Sequence, residues 1–330
     1  MEMRILGGGF RVPAVGLGCA GMSGTYGPAD EADSTATIRA ALDAGITLLD
    51  TADFYGMGDN ELLIARALRP GDRERAVLSV KFGGLRGPDL GFRGIDARPV
   101  AVANFLAYSL RRLGTDYVDI YRPARLDPAV PVEDTIGAIA ELVQAGYVRG
   151  IGLSEVGAET IRRAHAVYPI TDVQIEYSLF SRGIEDGILA TCRELGIGVT
   201  AYGVLAQGLL SGAWRAAAGA GTRAHLPRFA EGNVEANLAL VAELRTIADA
   251  RGVTVAQLAI AWVLAQGRAY GDIVALVGAR RPARIAEAAG AADLELTGAE
   301  LTAIERAVPR AAVAGSRYAP ALLALLDSER

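Results

Sequence analysis

The sequence predicts an α/β protein, a (β/α)8 barrel of the TIM type with extra helices and a C-terminal helix. Two observations support this prediction: eight short apolar segments alternate with helical segments, and no shift in composition interrupts the alternation. Strands that alternate with helices form parallel sheets. Eight such units favour a closed barrel over an open doubly wound sheet, and we expect residues 1–330 to form a single domain.

The predicted elements follow one another in a regular order. The strands cover 14–18, 47–52, 76–82, 117–121, 148–153, 172–177, 198–202 and 273–277. The helices cover 30–44, 60–68, 98–113, 132–144, 158–167, 184–195, 235–250, 255–266 and 283–289. A terminal helix starts at Thr297, where Thr-Gly-Ala-Glu matches a capping box. The glycine-rich start before the first strand is consistent with a hairpin.

Composition and charge exclude several classes of function. Apolar residues make up 51% and charged residues 22%, which is typical of a soluble, well-packed globule. The net charge of −5 argues against binding to nucleic acid or to an anionic membrane. We find no secretion signal and no apolar run long enough to span a membrane. Cys19 and Cys192 have no metal-ligand spacing, so we expect free thiols and a cytoplasmic protein. The oligomeric state is left open.

The residues best suited to chemistry lie at the ends of two consecutive predicted strands. Strand 47–52 contains Asp50 and leads to Tyr55, and strand 76–82 contains Lys81. A tyrosine hydroxyl has a pKa of about 10 and is a poor acid at neutral pH, but a nearby ammonium group stabilises the phenolate. Asp50 can hold Lys81 charged and in place. Each motif alone fits a turn, a helix cap or a solvated strand end, whereas both together favour a proton donor.

Polar side chains also recur at the ends of the other predicted strands. In this fold, chemistry gathers at the C-terminal ends of the strands. In chain order, those ends contain Gly18 and Cys19, Asp50 and Tyr55, Lys81, Arg122 and Arg125, Ser154 and Glu155, Gln174, Tyr202, and Gly278 and Arg280. No Gly-x-Gly-x-x-Gly motif opens a helix in the right context, so a bound dinucleotide must be held in another way.

At these residues the chain resembles the aldo-keto reductase superfamily. The resemblance extends from Gly16 to Glu287, and its most specific parts are 49–56, the strand that contains Lys81, 151–154, 174–179 and 201–202. Within the superfamily the chain is most similar to the long-chain bacterial, fungal and plant branch, which includes pyridoxal reductase-like enzymes. The resemblance implies hydride transfer between NADP(H) and a small-molecule carbonyl substrate, with Tyr55 as the acid, Lys81 as its tuning partner and Asp50 as the holder of Lys81.

The resemblance also implies a set of cofactor-binding residues. They are Gly18, Cys19, Ser154, Gln174, Tyr202, Leu205, Gln207, Gly208, Gly278, Arg280, Arg284 and Glu287. Ser154 and Gln174 would bind the nicotinamide carboxamide, and Tyr202 would stack on the nicotinamide ring. Without the resemblance, hydrogen bonding at strand ends better explains the first two, and a half-buried core aromatic explains Tyr202 equally well.

The rest of this set would bind the other end of the cofactor. The loop with Leu205, Gln207 and Gly208 would contact the pyrophosphate. Arg280 and Arg284 would lie near the adenosine 2′-phosphate, and Glu287 would face the adenine. A solvated helix start is the alternative for the arginines. The family's lysine at the 2′-phosphate falls on Gly278 and its asparagine after Glu287 is Ala288, so the preference for NADPH rests on the arginines.

The largest departure from the family lies on the fourth strand. The family usually has a histidine two residues before a hydrophobic–Asp pair, and Ala124 occupies that position here. Alanine cannot hydrogen-bond a carbonyl oxygen, and the loss of one positioned donor costs a few kcal/mol when nothing replaces it. Arg122 and Arg125 flank the gap and could supply positive charge at the mouth of the pocket. The alternative is that both only form ion pairs that hold the loop.

Three functions are compatible with these residues. The first is an NADPH-dependent reductase of an aldehyde or ketone, including a bulkier or anionic carbonyl compound. The second is an enzyme that reduces an enone or an imine, or that acts on a nucleotide-sugar in a biosynthetic pathway. The third is a nicotinamide-binding module with decayed catalysis, although the retention of Tyr55 and Lys81 argues against it. The loops 83–98 and 211–231 are the expected specificity segments.

Overall fold

Eight parallel strands close into a barrel in the computed structural model of the protein, which describes residues 1–214 and 223–330. The barrel strands are β3 (Val15–Gly18), β4 (Leu48–Ala52), β5 (Val77–Phe82), β8 (Val118–Pro123), β9 (Val148–Ser154), β10 (Ile170–Glu176), β11 (Gly198–Tyr202) and β12 (Ile273–Gly278). Each barrel strand pairs with the next one along the chain, and β12 pairs with β3. The predicted (β/α)8 barrel is confirmed.

Helices surround the barrel and connect its strands. They are α1 (Glu31–Asp43), α2 (Asp59–Ala67), α3 (Asp72–Arg75), α4 (Pro99–Leu113), α5 (Val132–Gln144), α6 (Ala158–Val167), α7 (Ile188–Glu194), α8 (Asn233–Arg251), α9 (Val255–Gly267), α10 (Pro282–Ala292), α11 (Gly298–Ala307) and α12 (Pro320–Leu323). The predicted capping box is confirmed, because the Thr297 hydroxyl accepts from the Glu300 amide and the Glu300 carboxylate accepts from the Thr297 amide. It satisfies backbone donors that would otherwise lack partners at the start of α11.

An N-terminal hairpin packs into one end of the barrel. Its strands are β1 (Met3–Leu6) and β2 (Phe10–Pro13), which pair antiparallel. A small apolar cluster joins the hairpin to the interior of the barrel; it contains Leu6, Val12, Leu48, Ile120 and Val274. A Cβ at Gly198 would lie 2.2 Å from Leu6 Cδ2, so only glycine lets the hairpin approach β11 this closely. The hairpin therefore covers the N-terminal ends of the strands, opposite the polar end.

The structure adds elements that the sequence did not predict. The expected specificity loop 83–98 contains a second hairpin, formed by β6 (Gly84–Arg86) and β7 (Phe92–Ile95). The other expected specificity loop is known only in part, because 215–222 lie outside the described residues. After α11 the chain turns back to the polar end of the barrel, where the Ser328 amide donates to the carbonyl oxygen of Glu155.

Two properties bear on function. Across residues 1–214 and 223–330, no individual helix has both the length and the apolar character to cross a membrane; α8 and α9 meet this test only together, and they are bent by 90° at their junction. In the same two ranges, no group of three or more His, Cys, Asp and Glu side chains could hold a metal ion.

Candidate active site

A buried ion pair lies at the C-terminal ends of two neighbouring strands. Asp50 on β4 and Lys81 on β5 are 3% and 5% exposed, and the Lys81 ammonium donates to Asp50 Oδ1. The register of the two strands brings them together, because Ala52 pairs with Lys81 and Asp50 pairs with Ser79. Burial lowers the pKa of Lys81, and the Asp50 carboxylate opposes that effect. The Asp50 carboxylate therefore favours the charged form of Lys81 at this level of the barrel.

Tyr55 lies beside this ion pair, in the 3₁₀ turn that follows β4. The Lys81 ammonium lies 5.2 Å from the centre of the Tyr55 ring. In the described residues the ammonium donates to Asp50, and no direct hydrogen bond joins it to the phenol. Burial raises the pKa of Tyr55, the charge of Asp50 adds to that effect, and the charges of Arg125 and Arg122 oppose it. The phenol is therefore protonated at neutral pH and has cations nearby to stabilise its phenolate.

Asp50 accepts hydrogen bonds from two further side chains. Gln174 Nε2 on β10 donates to Asp50 Oδ2 at 2.7 Å, and the Ser79 hydroxyl donates to the same oxygen at 2.9 Å. Gln174 and Ser79 therefore orient the carboxylate that holds Lys81. The predicted role of Gln174 at the nicotinamide stays a prediction, because its amide nitrogen is directed at Asp50 in this structure.

Arg122 lies inside the barrel. Its side chain is fully buried, and its Nη2 lies 3.0 and 3.1 Å from the two carboxylate oxygens of Asp172. The same nitrogen lies 3.1 Å from the Ser79 hydroxyl, which links this ion pair to Asp50. The Thr200 hydroxyl also donates to Asp172, at 2.5 Å. The predicted place of Arg122 at the mouth of the pocket is therefore wrong, since a charge within a buried strand needs a buried partner.

Arg125 is the other arginine beside Ala124, and its surroundings differ. Its Nη1 donates to the Ala124 carbonyl at 2.6 Å and to the Ser154 hydroxyl at 3.2 Å. In the ranges that the structure covers, no carboxylate lies within ion-pair distance of it. Burial alone would lower the pKa of Arg125, but the charges of the surrounding tyrosines and of Glu155 raise it. Arg125 is thus a half-buried cation near the predicted acid.

A second buried charge cluster surrounds Tyr202. The Tyr202 hydroxyl donates to Glu155 Oε1 at 2.6 Å and lies 3.2 Å from the Tyr318 hydroxyl. Arg317 donates to both oxygens of Glu155, at 2.7 and 2.5 Å, and lies 3.5 Å from Glu176. Burial alone would raise the pKa of Glu155, but Arg317 lowers it to about 2. The segment after α11 therefore fixes the carboxylate that orients Tyr202.

A long cavity of about 620 Å³ opens beside the strand ends. It is lined by seven predicted cofactor residues, which are Leu205, Gln207, Gly208, Gly278, Arg280, Arg284 and Glu287. Arg281 and Arg223 line it as well. In the described structure Arg280 donates to the carbonyls of Gly27 and Pro28, and Arg284 forms an ion pair with Glu287 at 2.7 Å. Several guanidinium groups along one cavity fit a ligand that carries phosphates.

Five predicted cofactor residues lie outside this lining. They are Gly18, Cys19, Ser154, Gln174 and Tyr202. The side chain of Cys19 is fully buried and its thiol donates to the Leu17 carbonyl at 3.8 Å, so a thiol contact with the cofactor is not supported. Tyr202 directly precedes Gly203, which lines the cavity, and is therefore placed where the cavity reaches the strand ends.

Sequence reasoning missed the partners of the predicted residues. The sequence did contain an indication of the role of Asp172, because a charged residue inside an apolar strand requires an opposite charge on a neighbouring inward position. Arg317 and Tyr318 had no such signal, since they reach Glu155 and Tyr202 from a segment more than a hundred residues away. Arg223 lies against Tyr26, with its guanidinium carbon 4.7 Å from the ring centre, and this contact across the cavity was equally hidden.

The barrel, the buried Asp50–Lys81 pair and the arginine-lined cavity define a class of oxidoreductase. Residues 14–309 match the model of the Aldo/keto reductase family. The chain therefore belongs to the aldo/keto reductase family, whose members act on carbonyl groups, and the predicted superfamily is confirmed. The assignment to its pyridoxal reductase-like members stays a prediction.

Similar proteins come from several kingdoms. The chain is 41% identical over 316 residues to "Probable aldo-keto reductase 1" of Glycine max, covering 94% of this chain and 89% of that protein. It is 39% identical over 320 residues to "Aldo-keto reductase yakc [NADP(+)]" of Schizosaccharomyces pombe, covering 95% and 93%. Among solved structures, a glycerol dehydrogenase from Gluconobacter oxydans has a TM-score of 0.85 at 30% identity, covering 94% and 95%. An aldo/keto reductase from Klebsiella pneumoniae, in complex with NADP and acetate, has a TM-score of 0.72 at 28% identity, covering 94% and 96%.

Proposed function

We propose that the chain reduces an aldehyde or ketone to an alcohol with NADPH. Tyr55 donates the proton, Lys81 makes Tyr55 a better proton donor by stabilising its phenolate, and Asp50 holds Lys81 in place. The observation that carries this proposal is the buried Asp50–Lys81 ion pair beside Tyr55, at the same end of the barrel as the arginine-lined cavity. Membership of the aldo/keto reductase family and the NADP-related names of the similar proteins support it.

The reaction moves two electrons and two hydrogens. The reduced nicotinamide, when bound, supplies a hydride to the carbonyl carbon. Tyr55 gives its hydroxyl proton to the carbonyl oxygen, which leaves a phenolate. The Lys81 ammonium and the nearby Arg125 stabilise that negative charge, because cations close to a phenol favour its ionised form. A proton from solvent restores Tyr55 after the alcohol leaves.

The cavity gives the cofactor its orientation in this proposal. Arg280 and Arg284 bind the 2′-phosphate, and Glu287 faces the adenine. The loop with Leu205, Gln207 and Gly208 contacts the pyrophosphate; Gln207 and Gly208 have φ values of 57° and 105°, which turn this loop sharply along the cavity. Ser154, Gln174 and Tyr202 hold the nicotinamide close to Tyr55.

The experiment follows the loss of NADPH absorbance with a panel of aldehydes that includes pyridoxal. The matched control is Tyr55→Phe, which keeps the ring and removes the proton. General acids contribute about 10²- to 10⁴-fold to such rates, so we expect Tyr55→Phe to lose activity on that scale while it still binds NADPH. Turnover no greater than that of Tyr55→Phe on every aldehyde would refute the proposal.

A second function is favoured by one observation. By the resemblance described above, Ala124, which is 4% exposed, occupies the position where the family usually has a histidine that hydrogen-bonds the carbonyl oxygen. Reduction of an enone or an imine, including one on a nucleotide-sugar, depends less on that donor. Mass and NMR analysis of the products separates these reactions from carbonyl reduction. Tight NADPH binding without turnover on any substrate would indicate the nicotinamide-binding module instead.

A further inference from the structure

The guanidinium of Arg125 has one side engaged and one side free. Its Nη1 donates to Ala124 and Ser154, as described above. In the described part of the chain its Nε and Nη2 have no hydrogen-bond partner, and neither atom is among the buried polar atoms without one. These two nitrogens therefore face accessible space. Nε and Nη2 form the edge of a guanidinium that binds an oxyanion through two parallel hydrogen bonds.

The free edge lies close to the predicted acid. Ala124, the neighbour of Arg125, donates its backbone amide to the Phe82 carbonyl, which places both residues next to the strand that carries Lys81. Tyr55 follows β4 and Arg125 follows β8, and these two strands flank β5, so both residues lie at the same end of the barrel. The charge of each influences the pKa of the other, in keeping with that placement. The hydroxyls of Tyr202 and Tyr318 also lie near Arg125. A substrate whose carbonyl reaches Tyr55 can therefore place a second group on Arg125.

Arg125 differs from the other arginines near the barrel end. Arg122 is paired with Asp172, and Arg317 is paired with Glu155. In the described residues no carboxylate lies within ion-pair distance of Arg125, so the oxyanion of a ligand would be its first direct ionic partner.

We infer that the substrate is an anionic carbonyl compound, in which a carboxylate or phosphate group binds the free edge of Arg125 while the carbonyl oxygen accepts the Tyr55 proton. This inference rests on the proposed carbonyl reduction and names its substrate class. Arg125 is the residue that determines specificity, and it binds the end of the substrate away from the reacting carbonyl.

The test compares matched pairs of substrates. Succinic semialdehyde and butanal differ in a carboxylate, and pyridoxal phosphate and pyridoxal differ in a phosphate, so the two pairs separate the two oxyanions. The variants are Arg125→Gln, which removes the charge, and Arg125→Lys, which keeps the charge without the paired donors. The control is Arg86→Gln, because Arg86 is exposed and lies 5.9 Å from the Phe54 ring next to Tyr55.

We expect the protein to prefer the anionic member of at least one pair. Arg125→Gln should lower kcat/KM for that member by about 10- to 100-fold, mainly through KM, since hydrogen bonds to charged groups contribute on this scale. Activity on the neutral member should fall clearly less and through kcat, because Arg125 then only helps to stabilise the Tyr55 phenolate. The effect of Arg125→Lys should lie between those of the unmodified protein and Arg125→Gln. Arg86→Gln should keep the preference. Equal losses on both members, or no preference in the unmodified protein, would overturn the inference.

A binding measurement keeps the inference testable if no aldehyde is reduced, an outcome that would refute the proposed function instead. Calorimetry of the NADP⁺ complex compares two alcohols: gamma-hydroxybutyrate, which carries a carboxylate, and butanol, which does not. Tighter binding of the carboxylate that disappears in Arg125→Gln supports the inference. Equal binding of the carboxylate to the unmodified protein and to Arg125→Gln contradicts it.

Discussion

Arg122 and Arg125 lie on either side of Ala124, at the end of one strand, but their burial and their partners differ. Arg122 is fully buried within β8 and pairs with Asp172 across the inside of the barrel. Arg125 lies just beyond the strand, where its charge meets phenols and a hydroxyl. The same side chain is thus a neutralised part of the core in one place and a candidate ligand-binding group in the other.

The difference follows from where each residue meets the barrel. A position within a parallel strand that points inward has no access to water, so its charge must be balanced by protein groups. A position after the strand end faces the opening of the barrel, where the charge is partly solvated and can be balanced by a substrate. The protein therefore separates the buried charges that hold the site from the charge that we propose to select the ligand.

The strongest test of this contrast is Arg122→Met. It leaves Asp172 buried without its cation, and breaking a buried ion pair by removing one partner costs about 3 to 5 kcal/mol. We expect a loss of that size in the free energy of unfolding, measured by urea denaturation. Arg125→Met should cost less than about 1 kcal/mol, because no buried carboxylate loses a partner.

The double variant Arg122→Met with Asp172→Leu is the control for that prediction. Replacing a whole buried pair by apolar side chains is often neutral or stabilising. The double variant should therefore regain most of the stability lost by Arg122→Met. The single variant Asp172→Leu completes the comparison. If the double variant loses as much stability as Arg122→Met and Asp172→Leu together, Arg122 and Asp172 are not coupled and the contrast with Arg125 fails.

Asp53 extends the contrast to a buried acid whose carboxylate makes no ion pair in the described residues. It is 7% exposed, its Oδ2 accepts from the Gly83 amide at 3.2 Å, and its Oδ1 has no partner in the described residues. Burial raises its pKa from 3.8 to about 7, which the Gly83 amide opposes. Between these values the folded protein holds a proton that the unfolded chain has released, so stability falls as pH rises through this window.

Asp53→Asn should remove that dependence. A shift of this size corresponds to about 4 kcal/mol, since one pKa unit is 1.36 kcal/mol. We expect the unmodified protein to lose up to that amount between about pH 4 and pH 7, and Asp53→Asn to be the more stable protein at pH 8. Urea denaturation across this range measures both proteins. Parallel stability curves for the two would contradict the prediction.

Glu155 is the opposite case, because Arg317 compensates its burial. Its pKa is lowered from 4.5 to about 2, so its stabilising effect is present above pH 4.5 and is lost as pH falls toward 2. We expect Glu155→Gln to be less stable than the unmodified protein by about 3 kcal/mol at neutral pH. The difference between the two should shrink as pH is lowered from about 5 to 2, and an unchanged difference would argue against the role of this ion pair.

The smallest expected effect concerns an exposed arginine of the cavity. Arg284→Gln should raise the KM for NADPH by about 10-fold and leave the KM for NADH unchanged, because a charged hydrogen bond to the 2′-phosphate contributes about 1.5 kcal/mol. Initial rates with the two cofactors measure this. An equal change with both would place Arg284 away from the 2′-phosphate.

The sequence predicted the barrel because its strands and helices alternate with a clear period, and it predicted the Asp50–Lys81 pair because both residues end consecutive strands. It did not predict the partners of the inner charges. The direction of Arg122 depends on its exact register in β8, and a shift of one residue moves a side chain from the inside of a barrel to the outside. The contacts of Arg317 could not be predicted, because they depend on how a distant segment returns to the barrel.

A glycine completes the environment of Arg122. A Cβ at Gly152 would lie 2.6 Å from Arg122 Nε and 2.7 Å from Asp172 Oδ1, so even alanine at that position would collide with the ion pair. Three residues on three adjacent strands therefore depend on one another, and substitution of any one of them alone destabilises the protein. In lineages that descend from a common ancestor, Arg122, Gly152 and Asp172 should be gained and lost together.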